Sequence, residues 1–143
     1  HSYSSAASDV YKRQVIFMPR ERPLSPHLLV YKPQLTSVLS ISHRLSGAAL
    51  AGGSLLAVWW IVALATGPEY FGFVQALMLS VPGQLVLMAF SAAVFYHLSN
   101  GIRHLFWDFG YFLSLQGVYR SGYAVITSTL VLTGSLWLAV LFS

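Results

Sequence analysis

The sequence contains the stretch His97-Leu-Ser-Asn-Gly-Ile-Arg-His-Leu-Phe-Trp-Asp108, which is the polar end of a very apolar segment. His97, His104 and Asp108 are separated by about two turns and then one turn of helix, so they lie along one stripe. Ionisable side chains inside or near a bilayer are costly and are usually functional. The stripe therefore indicates a functional site at one end of a membrane helix.

The composition indicates an all-α membrane protein with one domain. The chain of 143 residues is 56% hydrophobic and 8% charged, whereas ordinary soluble domains are about half apolar and a quarter charged. No charged residue occurs between Arg44 and Glu69, between Glu69 and Arg103, or after Arg120. Each gap is long enough for a spanning helix of about 20 residues. We expect three transmembrane helices within residues 37–143, at about 37–66, 81–108 and 121–142.

The N-terminal part differs from the rest in composition. Residues 1–17 do not begin with Met, and Met18 opens a stretch that has the character of a natural start. We expect residues 1–17 to be upstream read-through or added sequence, with part of an organelle presequence as the alternative. Residues 18–36 carry three basic side chains and four prolines, which predicts an extended basic segment next to the membrane.

The positive charges predict the topology. All eight Lys and Arg residues lie either before residue 45 or between residues 103 and 120, and the connection at 67–80 has none. The positive-inside rule then places the N-terminus inside. Ser40 and Arg44 on the first helix should therefore lie at the same membrane face as His104 and Asp108 on the second.

The two histidines of the stripe have different depths. His97 lies 11 residues before Asp108 and therefore roughly 16 Å further into the membrane. His97 is either an axial ligand of haem iron or a packing histidine bonded to a serine or a backbone carbonyl. His104 is closer to the interface, where a haem propionate contact, a proton relay and a simple interfacial side chain are all open.

A second polar cluster begins the first helix. Ser40 and Arg44 share one face, where they can donate hydrogen bonds to the carbonyl of a lipid-soluble ligand. Arg44 and His43 can instead bind haem carboxylates, or Arg44 can be an anchor facing lipid phosphates. Asp108 at a helix C-terminus opposes the helix dipole, which predicts a positive partner, Arg103 or Arg44.

Other classes of function find little support. The chain has no cysteine and hence no thiolate for an iron–sulfur cluster. It has no basic patch interleaved with aromatic residues, so no nucleic-acid partner is expected. No set of residues for soluble hydrolytic or phosphate chemistry is present.

Two stretches resemble the signatures of one known family. Arg22-Pro23-Leu24-Ser-Pro-His-Leu-Leu, followed by Ser40-Ile-Ser-His43-Arg44-Leu-Ser46-Gly47, is similar to the N-terminal signature of succinate dehydrogenase cytochrome b556 subunits. These are the larger membrane anchors of respiratory complex II. The stretch from His97 to Gly110 resembles their second signature. The resemblance covers about residues 20–143.

The resemblance implies roles for individual residues. His97 corresponds to the axial ligand of haem b, and the second axial histidine would come from the smaller anchor subunit. Ser40 and Arg44 match the quinone-site serine and arginine. His43 matches a residue near the haem propionates, and we expect His104 in the same vicinity. Asp108 falls where the family has an acid close to the quinone pocket.

The resemblance also implies a function and partners. The chain would form a helical bundle with the smaller anchor and pass electrons from a flavoprotein subunit, through an iron–sulfur subunit, to ubiquinone. A bacterial inner membrane is expected, with the mitochondrial inner membrane as the alternative. Three other hypotheses remain: a quinol:fumarate reductase anchor, a haem-free structural anchor, and an intrachain bis-histidine cytochrome using His43 and His97.

Overall fold

A computed structural model describes residues 32–142, and this part of the chain consists of four α-helices without a β-strand. The helices are α1 (Leu35–Thr66), α2 (Pro68–Leu79), α3 (Val81–Asp108) and α4 (Leu115–Phe142). The predicted all-α class is confirmed. The expectations for residues 1–17, and for most of the basic segment at 18–36, lie outside the described residues.

Three of these helices are long and apolar enough to cross a membrane. α1 has 32 residues and α3 and α4 have 28 each, so they are about 48 Å and 42 Å long. The apolar core of a bilayer is about 30 Å thick. The chain is an integral membrane protein with three spanning helices in the described part, as the sequence predicted.

The connection predicted at 67–80 contains a helix that the sequence analysis did not anticipate. α1 ends at Thr66 and is followed by Gly67, whose φ of 141° is a conformation that other residues rarely adopt, and Pro68 then begins α2. α2 packs against α1 and α3. The indole N–H of Trp59 donates to the hydroxyl of Tyr70 at 2.9 Å, which ties α2 to the end of α1.

α4 begins at Leu115, six residues before the predicted start. The side-chain oxygen of Ser114 accepts a hydrogen bond from the backbone N–H of Gly117 at 3.2 Å. This is the contact by which a serine satisfies the first turn of a helix. Gln116 and Gly117 suggested a loop by their residue types, but this local cap places them in the first turn of α4.

α3 is the central helix, with contacts to the other three. Hydrogen bonds tie it to α4 at two levels, from Ser128 Oγ to Ser99 Oγ and from the Trp137 indole to Ser91 Oγ, both at 3.0 Å. Within the described residues only four hydrophobic side chains are buried, namely Leu39, Ala63, Val74 and Val125. Most large apolar side chains face outward, as expected where lipid replaces water.

Candidate ligand-binding site

Histidines from two distant parts of the sequence meet between α1 and α3. The rings of His43 and His97 are stacked, with centroids 4.0 Å apart and an interplanar angle of 11°. His104 lies on the other side, with its ring centroid 5.2 Å from that of His43. The predicted convergence of the first-helix cluster with the second-helix stripe is therefore present in the structure, and His43 lies between the other two rings.

The ring of His97 is oriented by hydrogen bonds to α1. Its Nδ1 lies 3.0 Å from the hydroxyl oxygen of Ser46 and 3.2 Å from the carbonyl oxygen of His43. A carbonyl oxygen can only accept, so the tautomer that satisfies both contacts is the one with the proton on Nδ1 and the lone pair on Nε2. The hypothesis of a packing histidine predicted these contacts to a serine and a carbonyl. The same contacts are compatible with metal binding, because they leave Nε2 available.

Gly47 allows α1 to approach the ring of His97 closely. A Cβ at position 47 would lie 3.1 Å from Cε1 of His97, which is tighter than an ordinary van der Waals contact. The absence of a side chain therefore sets the distance between the two helices at the level of the histidine pair. It also restricts the space in which the His97 ring can turn.

Three polar atoms around this site are buried without a hydrogen-bond partner among the described residues. They are His43 Nδ1, Asn100 Nδ2 and the indole nitrogen of Trp107. Buried polar groups are normally paired, because an unpaired one costs about 1–3 kcal/mol. Such atoms are suited to a contact with a ligand or with another subunit.

A cavity of about 420 Å³ lies beside His104. Ser40 and Arg44 line it from α1, and His104 and Trp107 line it from α3. Ser40 is half-buried and Arg44 is exposed, so a hydroxyl and a guanidinium are available at the wall. The full lining is Thr36, Ser37, Ser40, Ile41, Arg44, Arg103, His104 and Trp107.

Asp108 does not line this cavity. It is exposed at the end of α3, and no ion pair is formed by it among the described residues. The predicted pairing with Arg103 or Arg44 is therefore wrong in this structure. Arg103 and Asp108 point to different sides of α3, because five residues along a helix correspond to a rotation of about 140° around its axis.

Arg103 is the residue whose role the sequence analysis missed. Its side chain is only 4% exposed. It donates from Nε to Ser121 Oγ at 3.0 Å, and from Nη2 to the Val118 carbonyl at 2.9 Å. It also donates from Nη1 to Asn100 Oδ1 at 3.3 Å, and its guanidinium lies 4.1 Å from the centroid of the Trp107 ring. A basic residue beside His104 suggested the interface, but the polar groups on α4 draw it inward.

Ser46 was part of the quoted signature but received no role. It is buried, and its hydroxyl donates to the carbonyl oxygen of His43 at 2.8 Å. The available signal was its spacing of three residues from His43, since a helical serine commonly bonds to a carbonyl one turn back. The contact with His97 depends on how α1 and α3 pack, which spacing alone does not reveal.

Comparison with known proteins gives consistent results. Residues 18–136 match the family described as succinate dehydrogenase/fumarate reductase transmembrane subunit. The chain is 43% identical over 117 residues to the succinate dehydrogenase cytochrome b556 subunit of Rickettsia typhi, covering 82% of the chain and 91% of that relative. It is 41% identical over 111 residues to the protein of the same name from Paracoccus denitrificans, covering 78% and 85%. The mitochondrial succinate dehydrogenase cytochrome B subunit of Schizosaccharomyces pombe is 40% identical over 121 residues, covering 79% and 66%.

Proposed function

Because this chain belongs to the family of succinate dehydrogenase/fumarate reductase transmembrane subunits, we propose that it is the membrane-anchoring cytochrome b subunit of a succinate dehydrogenase. In this role it binds haem b together with a smaller anchor subunit and contributes to the site of ubiquinone reduction. An iron–sulfur subunit and a flavoprotein subunit complete the complex. The N-terminus of the chain lies inside, on the side of the soluble subunits. The observation that carries the proposal is the placement of His104 with Ser40 and Arg44 around one cavity, next to the stacked histidine pair.

The residues present fit a haem. His97 has one ring nitrogen held by α1 and the other carrying a lone pair, which is the arrangement of a metal-binding histidine. His43 Nδ1 is a buried donor or acceptor without a partner among residues 32–142, as suits a contact with a propionate. His97 would hold the iron, and His43 and His104 would face the propionates. When bound, the haem supplies a one-electron redox centre.

The stacking of His43 on His97 disfavours an intrachain bis-histidine cytochrome. To hold one iron between them, the two rings would have to direct ring nitrogens at a common point. These two rings instead lie face to face at 4.0 Å and nearly parallel, so their in-plane lone pairs do not converge on a common point. His97 would then hold the iron from this chain, and the smaller anchor subunit would supply the other ligand.

The cavity suits the polar ring of ubiquinone as substrate. Ser40 and Arg44 are hydrogen-bond donors at its wall, and His104 and Trp107 supply flat surfaces. Both donors stabilise charge that develops on a quinone carbonyl oxygen during reduction. Two electrons from the iron–sulfur subunit and two protons from the inner aqueous side convert ubiquinone to ubiquinol. Asp108, exposed at the end of α3, lies where it can exchange protons with that water.

The direction of electron flow is proposed from the relatives. Relatives at 40–43% identity carry the name succinate dehydrogenase, although the family description also includes fumarate reductase. We therefore favour succinate oxidation with ubiquinone reduction. Relatives occur in both bacteria and mitochondria, and we place this chain in a bacterial cell membrane.

The test compares two histidines of the same helix in the assembled complex. His97→Ala is expected to lose the b-type reduced-minus-oxidised spectrum, because it removes the nitrogen that binds iron. His104→Ala is expected to keep that spectrum, because it removes only a peripheral contact. Immunoblots of the four subunits show whether the complex has assembled. Retention of the spectrum in His97→Ala, with loss in His104→Ala, would overturn the ligand assignment.

A further inference from the structure

We propose that Ser46 is a positioning residue for the haem ligand. Its buried hydroxyl accepts a hydrogen bond from Nδ1–H of His97, together with the His43 carbonyl, and so helps to present Nε2 to the iron. The inference rests on the proposed function, because it requires His97 to be an axial ligand. It extends that function to a side chain that does not touch the iron.

The proton arrangement follows from three short contacts. The Ser46 hydroxyl donates to the His43 carbonyl at 2.8 Å, so its own proton is already used. Its oxygen lone pairs remain free to accept, and His97 Nδ1 lies 3.0 Å away. The same Nδ1 is 3.2 Å from the carbonyl oxygen that the hydroxyl contacts. The Nδ1–H tautomer therefore makes two hydrogen bonds, whereas the other tautomer would direct a lone pair at the carbonyl.

The hydroxyl can be removed without disturbing the packing around it. Ser46 is 8% exposed, and alanine at this position deletes one oxygen and adds no bulk. The His97 ring stays stacked on His43 and close to Gly47. What changes is the hydrogen bonding of Nδ1, which loses the nearer of its two acceptors. A change in the haem properties of this variant would then arise from the ligand rather than from a shift of the helices.

Hydrogen bonding to the outer nitrogen of a ligating histidine has a predictable effect on the metal. An acceptor at Nδ1–H makes the ring a stronger electron donor at Nε2, which favours ferric over ferrous iron. Removal of such a partner typically weakens metal binding 10–100-fold. We therefore expect Ser46→Ala to raise the midpoint potential of the haem and to speed its loss by about tenfold.

Ser54 provides a matched control in the same helix. Its hydroxyl donates to the carbonyl of Ala51 at 2.7 Å, which is the same one-turn bond that Ser46 makes to His43. Ser54 is exposed and has no contact with a histidine among the residues described. Ser54→Ala thus removes an equivalent hydroxyl from α1 and leaves the haem ligand untouched.

The experiment uses the complete complex in membranes, with wild type, Ser46→Ala, Ser54→Ala and His97→Ala. An optical redox titration gives the midpoint potential, and transfer of haem to added apomyoglobin gives the rate of loss. The expected result is a higher potential and about tenfold faster transfer in Ser46→Ala, with Ser54→Ala equal to wild type.

Each contrary outcome has a distinct meaning. If Ser46→Ala equals wild type in both measurements while His97→Ala has lost its spectrum, the positioning role is overturned and the ligand assignment stands. If Ser46→Ala loses the assembled complex together with haem, a purely structural role replaces the positioning role. A normal b-type spectrum in His97→Ala overturns the ligand assignment and this inference with it.

Discussion

The two sides of α3 place polar groups in an apolar setting in different ways. On the side facing α4, the chain supplies three acceptors and an aromatic face for Arg103. On the side facing α1, His97 is bonded at one nitrogen only, and Nδ1 of His43 has no partner among the described residues. A polar group that the chain satisfies itself is structural. A polar group that lacks a hydrogen-bond partner within the described chain is available to a ligand or to another subunit.

Adjacent residues show the contrast most directly. Both line the cavity, but the guanidinium of Arg103 is held by hydrogen bonds to α4, whereas the ring of His104 contacts His43 on α1. Charge alone would have ranked the arginine as the functional residue of the two. The two sides of α3 do not differ in every polar group, because Asn100 Nδ2 on the α4 side is also buried without a hydrogen-bond partner in the described part of the chain.

The largest expected effect comes from removing the buried cation. Arg103→Leu deletes two hydrogen bonds that join α3 to α4, and a third within α3 whose loss leaves Asn100 Oδ1 without its donor. We expect a loss of about 3 kcal/mol in stability, as for hydrogen bonds to a charged group. The measurement is the amount of assembled complex in membranes and its temperature of inactivation.

The control for this change is Arg120→Leu, which removes an exposed arginine from α4. We expect it to leave both the amount and the inactivation temperature of the complex near wild type. If Arg103→Leu also assembled and inactivated like wild type, the comparison between the two sides of α3 would break, because the α4 side would not be structural.

The next effect concerns the cavity side of α1. Arg44→Ala removes a charged donor from the cavity wall, and we expect ubiquinone reduction to fall about tenfold or more, as one charge-assisted hydrogen bond contributes about 1.5–3 kcal/mol. Ser40→Ala removes a neutral donor and should cost less. Succinate oxidation with a water-soluble acceptor, measured in the same membranes, should be unchanged. A parallel fall of both activities in a normally assembled complex would contradict the assignment.

The smallest expected effect comes from removing a neutral hydrogen bond between α3 and α4. Ser99→Ala removes one neutral hydrogen bond to Ser128, and side-chain hydrogen bonds between membrane helices contribute about 0.6 kcal/mol. We expect a slight decrease in the inactivation temperature and no change in the haem spectrum. Ser128→Ala should behave alike, and the double variant should lose little more than either single one. A shift of the haem spectrum in Ser99→Ala would show that the two sides are not separate.

The large features of this protein are predictable from its sequence because they depend on composition and helical period. Uncharged gaps predicted three spanning helices, and the positions of Lys and Arg predicted that Ser40 and Arg44 would lie at the same membrane face as His104. Helix starts were less predictable. α4 begins early because Ser114 caps it, and α2 forms in a stretch that was treated as a simple connection.

The orientation of side chains around α3 was not predictable in the same way. Whether Arg103 turns to Asp108 or to α4 depends on polar groups that packing brings near it, such as Ser121. Similarly, the contact of Ser46 with His97 requires α1 and α3 to approach at Gly47. Spacing in the sequence predicts which side chains share one face of a helix. Which groups those side chains contact depends on how the helix packs against its neighbours.

The length of α1 has a consequence for energy conversion. The helix is about 48 Å long, and the apolar core of a bilayer is about 30 Å thick, so its polar first turns lie at the edge of the lipid. The proposed quinone cavity beside Ser40 and Arg44 would then lie where lipid and water meet. In the proposed reaction an oil-soluble quinone arrives from one phase and protons arrive from the other, on the side where the electrons are delivered. No charge has to cross the apolar core, so turnover at this depth neither builds nor consumes a membrane potential.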